Sequence, residues 1–183
     1  MNNPISETAN FAQEGEIIYN SQDYGTGAPV SSSATFTGPS GSIPISYTAG
    51  GPSGATWVIP GTYTVSYSTD QYGANVYSAP SSVIVFSEET ITATYYTPTS
   101  ISCTGSYSGD LYVIYGQVST VDGGNVGSGL QVTVYWYENG QQYHQTVTTY
   151  DNGLYQYSFK YPEAISSPSA TFNKQAGYLK SSS

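Results

Sequence analysis

The sequence predicts an all-β fold: two tandem antiparallel β-sandwiches preceded by a short extended N-terminal segment. Three observations carry this expectation. Apolar and polar residues alternate with period two in many short runs, and no helical periodicity appears. Clusters of Gly, Pro, Asn and Ser interrupt those runs about every 8–12 residues, the spacing of turns in a sandwich. Aromatic residues make up 15% of the chain, Val, Ile and Thr recur, and charged residues make up only 8%. Disordered chains have the opposite bias, with few aromatics and much charge.

In the first half, alternation places strands near residues 16–20, 34–37, 43–47, 56–59, 62–68, 82–86 and 90–96. Pro60-Gly61 is a tight turn, since Pro presets one φ and Gly accepts the unusual one. After it, Tyr63, Val65 and Tyr67 share one face. Glu88-Glu89 sits between two runs, where a charged hairpin tip stays wet. In the second half, strands are expected near residues 101–106, 111–119, 130–138, 143–150 and 155–160, with a last one near 170–173. Val132, Val134 and Trp136 form one face, and Tyr155, Tyr157 and Phe159 another. Asn139-Gly140 and Asn152-Gly153 are hairpin signals, because both central residues of a type I′ turn need positive φ. Asp122-Gly-Gly-Asn125 is a longer turn.

The expected division is a tail over residues 1–15, a first sandwich over 16–98 and a second over 99–183. The boundary falls at Thr97-Pro98-Thr99, because Pro98 cannot donate a ladder hydrogen bond. One larger sandwich or jelly roll across the 183 residues is the competing layout.

Composition excludes several function classes. The formal charge is −9, with three lysines and no arginine. Phosphate backbones and anionic membranes both need basic patches, so neither nucleic acid nor a membrane surface is an expected partner. One Cys103 cannot form a disulfide within the chain, and with the single His144 it cannot make the usual zinc sets. No metal or other cofactor is expected. The N-terminus lacks the basic start and apolar run of a signal peptide, and no stretch approaches a membrane span. Either a leader has been removed or the protein is made and assembled inside a cell.

Two resemblances rest on local motifs. Gly116-Gln-Val118, Asp122-Gly-Gly-Asn-Val126, Val132-Thr-Val134, Asn139-Gly140, Thr146-Val-Thr148 and Asp151-Asn-Gly-Leu-Tyr155 resemble the bacterial Ig-like and carboxypeptidase-regulatory-like modules of surface proteins. They cover about a quarter of the chain. Pro60-Gly-Thr-Tyr-Thr-Val65 resembles the strand-turn-strand of small PEGA-like surface modules. Both resemblances imply Ig-like or jelly-roll-like sandwiches that act as spacers, stalks or assembly units, and neither carries a catalytic residue. The Tyr-, Ser- and Thr-rich, Arg-free composition resembles surface-filament and virus exterior proteins of hyperthermophilic archaea.

Candidate chemistry is sparse. His144 lies in a polar run with no neighbouring nucleophile or orienting carboxylate, so no catalytic residue is expected. Cys103 reads as a small buried hydrophobe or as a partner in an intermolecular disulfide. Asp122, Asn125, Asp151 and Asn152 carry oxygens suited to calcium, but no EF-hand or repeat spacing supports a site and Asp/Asn-Gly turns account for them. Lys160 closes an apolar strand, either as an edge protector or as an isopeptide donor. Tyr135, Trp136, Tyr137 and Tyr143 are the best candidates for glycan or partner contact, although alternation sends Trp136 inward. Glu16, Ile17, Ile18 and Tyr19 could be donated as a strand to a neighbour's sheet, or form an ordinary first strand.

The resulting expectation is a non-enzymatic structural subunit of an extracellular appendage, filament or virion exterior. It would assemble through strand edges and tyrosine-rich faces with copies of itself or with other surface or capsid proteins. The alternatives are an adhesin or carbohydrate-binding module and an accessory domain of an enzyme. With few ionisable groups, stability should depend weakly on acid pH.

Overall fold

The computed structural model describes residues 14–160 and 164–183. These residues form sixteen strands and no helix, arranged as four sheets that pack in pairs into tandem β-sandwiches. The strands of the first sandwich are β1 (Gly15–Asp23), β2 (Ser32–Gly38), β3 (Gly41–Tyr47), β4 (Gly54–Val58), β5 (Gly61–Tyr67), β6 (Val76–Ser78), β7 (Ser82–Val85) and β8 (Glu88–Tyr95). One sheet has the order β4-β1-β8-β6 and the other β3-β2-β5-β7. The second sandwich holds β9 (Thr99–Ile101), β10 (Thr104–Ser108), β11 (Leu111–Thr120), β12 (Gln131–Glu138), β13 (Gln141–Thr148), β14 (Leu154–Lys160), β15 (Ile165–Phe172) and β16 (Ser181–Ser182). Its sheets run β10-β11-β14, with β9 also on β11, and β13-β12-β15-β16.

Tyrosine fills much of both cores. Tyr19, Tyr63, Tyr95 and Tyr155 have no exposed surface, alongside Phe36, Phe172, Ile17 and Ile114. A buried phenol needs a partner for its hydroxyl, and each has one. Tyr19 reaches Ser32 Oγ at 2.7 Å, Ser32 donates to Ser21, and Ser21 donates to the Val30 carbonyl. At the opposite end of that sandwich, Tyr63 donates to the Ile59 carbonyl at 2.7 Å, and its hydroxyl lies 2.8 Å from Ser40 Oγ. Tyr155 donates to the Ser102 carbonyl. Rings supply apolar area while their hydroxyls satisfy backbone groups at the sandwich ends.

Positive φ is found at both Asn-Gly sites, but only Asn139-Gly140 closes a hairpin, since Asn152-Gly153 lies between β13 and β14, which belong to different sheets. Asn139 and Gly140 have φ of 51° and 79°, and Asn152 and Gly153 have 57° and 81°. Four further details differ from the sequence expectation. The layout is not wholly antiparallel, because β1 enters the middle of its sheet and runs parallel to β8. Glu88-Glu89 is not a hairpin tip. It starts β8 after the chain has crossed from one sheet to the other, and β7 does not pair with β8. Pro60-Gly61 likewise carries the chain between sheets, from β4 to β5. The single strand expected over 101–106 is split, since Ser102 and Cys103 separate β9 from β10.

Candidate assembly surfaces

Glu16, Ile17, Ile18 and Tyr19 lie inside this chain's own sheet. They pair with Trp57, Thr56, Ala55 and Gly54 on β4, and with Glu88, Glu89, Thr90 and Ile91 on β8. Ile17 and Tyr19 are fully buried in the first core. Both backbone edges of these four residues are therefore occupied, and giving them to a neighbour would dismantle the sheet centre. Of the expected tail over residues 1–15, residues 1–13 lie outside the described residues and Gly15 belongs to β1.

The four aromatic candidates are divided between two faces. Trp136 and Tyr143 are opposite one another across the β12–β13 hairpin and stack on its inner face, with centroids 6.0 Å apart. Tyr157 and Phe159 of the facing sheet complete this cluster, at 5.5 and 4.7 Å from the Trp136 ring. Tyr135 and Tyr137 point the other way, and Tyr135 lies beside His144. The four do not form one platform. Trp136 is buried, yet its indole Nε1 has no hydrogen-bond partner among the described residues.

Other candidate groups have ordinary surroundings. Asp122 accepts from the Thr120 hydroxyl, and Asn152 offers its carbonyl to Gln117. Among the described residues no three His, Cys, Asp or Glu side chains converge to hold a metal ion. Lys160 ends β14 opposite Leu111. Cys103 is half-buried, and burial pushes its thiol up from the ordinary value.

A junction that sequence reasoning did not find joins the two sandwiches. Only residues 96–98 separate β8 from β9. Thr97 is buried and acts as a rivet: its Oγ1 accepts from Gly25 N at 2.7 Å, its N–H donates to Gly177, and its carbonyl accepts from Leu179 N. Around it, rings run in an edge-to-face series from Phe172 through Tyr178, Tyr24 and Tyr77 to Tyr96. Two glycines permit this closeness. A Cβ on Gly25 would come within 2.5 Å of the Tyr178 ring, and one on Gly177 would collide with the ring of Tyr24. Tyr77, Tyr96, Lys174 and Gln175 line a cleft of about 290 Å³ beside the junction. Lys174 Nζ lies 3.6 Å from the Tyr96 ring centroid, a cation–π contact.

The sheet edges differ in protection. Natural edges are blunted by shortness, Pro, Lys or bulges. Edge strands β4, β6, β7, β10 and β16 have five residues or fewer. Pro44 interrupts β3, and Lys160 ends β14. The free part of β15 carries Pro168 and a bulge at which Ser167 takes a φ of 51°. β13 has eight residues, no Pro, Asp, Glu or Lys, and every residue exposed except the half-buried Val147. At the far end of the first sandwich from the junction, Trp57, Ile59 and Ile84 are exposed apolar groups.

No family model matches this chain, and no curated protein does. Among solved structures, the chain is similar to a DUF3823 family protein from Parabacteroides merdae, with 14% identity over 93% of this chain and 92% of that one, at a TM-score of 0.31. It is similar to the major pilin SpaD from Corynebacterium diphtheriae, with 10% identity over 96% of this chain and 65% of that one, at a TM-score of 0.39. A major pilin from Streptococcus pyogenes shares 12% identity over 90% of this chain and 83% of that one, at a TM-score of 0.32.

Proposed function

We propose that this protein is a non-enzymatic structural subunit of an exterior assembly, a surface appendage or a virion coat, that associates with its own copies through sheet edges. The observation that carries this reading is the junction. Gly25, Thr97 and Gly177 hold the two sandwiches through hydrogen bonds of the Thr97 side chain and backbone and through interlocked rings rather than through a loose linker. A rigid block transmits contacts made at one end to the other, which a stalk or coat unit needs. The block offers contact surfaces at remote places: the exposed apolar groups at the far end of the first sandwich and the unprotected β13 edge of the second. Native material should appear in electron micrographs as regular filaments or shells. Isolated particles of single-chain size, in material prepared without denaturants, would contradict the reading.

The junction cleft favours a second reading, a glycan-binding module. Clefts between domains are common ligand sites, and this one presents two tyrosine rings, a lysine and a glutamine. On a glycan array, binding that is lost in Tyr77→Ala and Lys174→Met would support it. An array without signal would remove it.

A further inference from the structure

The β13 edge has the properties of a self-complementary contact. The two-residue type I′ turn at Asn139-Gly140 makes Glu138 and Gln141 a hydrogen-bonded pair, and hydrogen-bonded pairs alternate along the hairpin from there. The odd-numbered residues of β13 therefore bond inward to β12. The bond from Thr149 N to the Leu130 carbonyl, at 2.7 Å, continues the same parity. It follows that Gln142, His144, Thr146 and Thr148 direct their N–H and C=O groups outward, away from the sheet.

We propose that β13 pairs antiparallel with β13 of a second copy, about a two-fold axis through Gln145. This deepens the self-association reading and rests on it. The register is fixed by parity, since outward-facing residues must meet outward-facing residues. Placing the axis at Gln145 sets Gln142 against the partner's Thr148 and His144 against the partner's Thr146. All four outward residues are then used, whereas shifting the axis by one residue to His144 leaves Thr148 opposite the partner's turn. On the inner face, Tyr143 meets the partner's Val147, an aromatic–β-branched pair of the favourable kind. That pair extends the cluster formed by Trp136, Tyr157 and Phe159.

Charge selects the occupant. The chain carries −9, so most close approaches between copies bring like charges together, but β13 holds no Asp, Glu or Lys. A second β13 matches it in length and likewise carries no Asp, Glu or Lys. The contact is isologous and yields a four-stranded sheet on each side of the axis, eight strands in all.

Two variants test this in the intact chain, both carrying Cys103→Ser. In the proposed register Gln145 faces its own copy in a non-hydrogen-bonded pair, with Cα atoms about 4.5 Å apart, inside disulfide range. Gln145→Cys should give a disulfide-linked dimer under mild oxidation, while Ser106→Cys on the exposed β10 edge should not. Thr146→Pro removes an N–H that β12 does not use. It should leave the melting temperature of the separated chain nearly unchanged and weaken association at least tenfold by sedimentation equilibrium. If the unaltered chain associates, but Gln145→Cys does not cross-link and Thr146→Pro associates normally, the β13 assignment falls and self-association stands. If Thr146→Pro blocks association without cross-linking at Gln145, β13 takes a different strand and the two-fold pairing is overturned. A chain that never associates removes both.

Discussion

Replacing Gly177 by alanine tests whether the junction is packed. The backbone there has φ of +81°, and an added Cβ would run into the ring of Tyr24. Two costs combine. A left-handed backbone costs a non-glycine residue about 1–2 kcal/mol. Forcing a methyl group into a filled space costs about 1–3 kcal/mol more. Gly73 supplies the control, since it has φ of +77° and nothing within 4 Å of the added Cβ. Gly73→Ala should show only the backbone cost. The difference, about 1–3 kcal/mol, measures the resistance of the junction, and it corresponds to a shift of roughly 2–4 °C per kcal/mol in a chain of this size. Urea unfolding of both variants, each with and without Tyr24→Ala, separates the two costs. Removing the Tyr24 ring should abolish the excess for Gly177→Ala and leave Gly73→Ala unaffected. Equal costs for Gly177→Ala and Gly73→Ala would show that the ring moves aside freely, and the rigid-block reasoning would fail.

Three further outcomes follow from buried ionisable groups. Asp70 is buried; its Oδ1 accepts from Tyr72 N and Ala74 N, while Oδ2 has no partner among the described residues. Burial pushes its carboxyl above the ordinary value against the pull of those two donors, and nearby Asp23 pushes it the same way. Between the unfolded and folded values the native state holds more protons, so stability falls as pH rises. Asp70→Asn should therefore stabilise the chain at pH 7 and lose that advantage near pH 3.5 in urea titrations; no gain at pH 7 would contradict the buried-charge cost. At the alkaline end, burial pushes the Tyr67 phenol up to about 12 and raises Tyr19 and Tyr155 further. Their stabilisation is complete below the ordinary tyrosine value and is lost as pH rises through the folded ones, so unfolding and tyrosinate absorbance should rise together above about pH 10. Independent titration of every tyrosine near pH 10 in a folded chain would refute this. Cys103, half-buried with its thiol pushed up, should react slowly with a thiol reagent at pH 7.5 and rapidly in urea; equal rates would show that the site is open.

The strands were largely legible because a half-buried strand writes its period into the sequence. Val132, Val134 and Trp136 read as one face and are buried together. The Asn-Gly turns were legible because positive φ restricts residue choice. What alternation could not show is which sheet a strand joins. Pro60-Gly61 and Glu88-Glu89 look like local reversals, yet both lie where the chain changes sheets, and such a crossing uses the same residue types as a hairpin. The central, parallel position of β1 depends on β8, whose residues lie about 70 positions away and carry no local mark of the pairing. Short β6 and β16 have too few residues to display a period. The junction was invisible for a similar reason: Tyr24, Thr97, Gly177 and Tyr178 come together from three parts of the chain. Alternation set Trp136 apart from Tyr135 and Tyr137, whereas the place of Tyr143 on the Trp136 face came from the observed hairpin register.

The 20 tyrosines thus have distinct tasks. Some, such as Tyr19 and Tyr155, replace aliphatic core residues and tie down sandwich ends with their hydroxyls. Tyr24, Tyr77, Tyr96 and Tyr178 fasten the two sandwiches together. A chain with 8% charged residues can stabilise itself this way without many ion pairs. The same shortage of charge leaves β13 without the usual guards against pairing.

Self-association of the native chain is best measured by sedimentation equilibrium over a wide concentration range at low and physiological salt. The mass should climb from that of one chain, 19.4 kDa, through a dimer to larger species as concentration rises. A constant mass of 19.4 kDa at every concentration would contradict the proposal that this protein is a unit of an assembly.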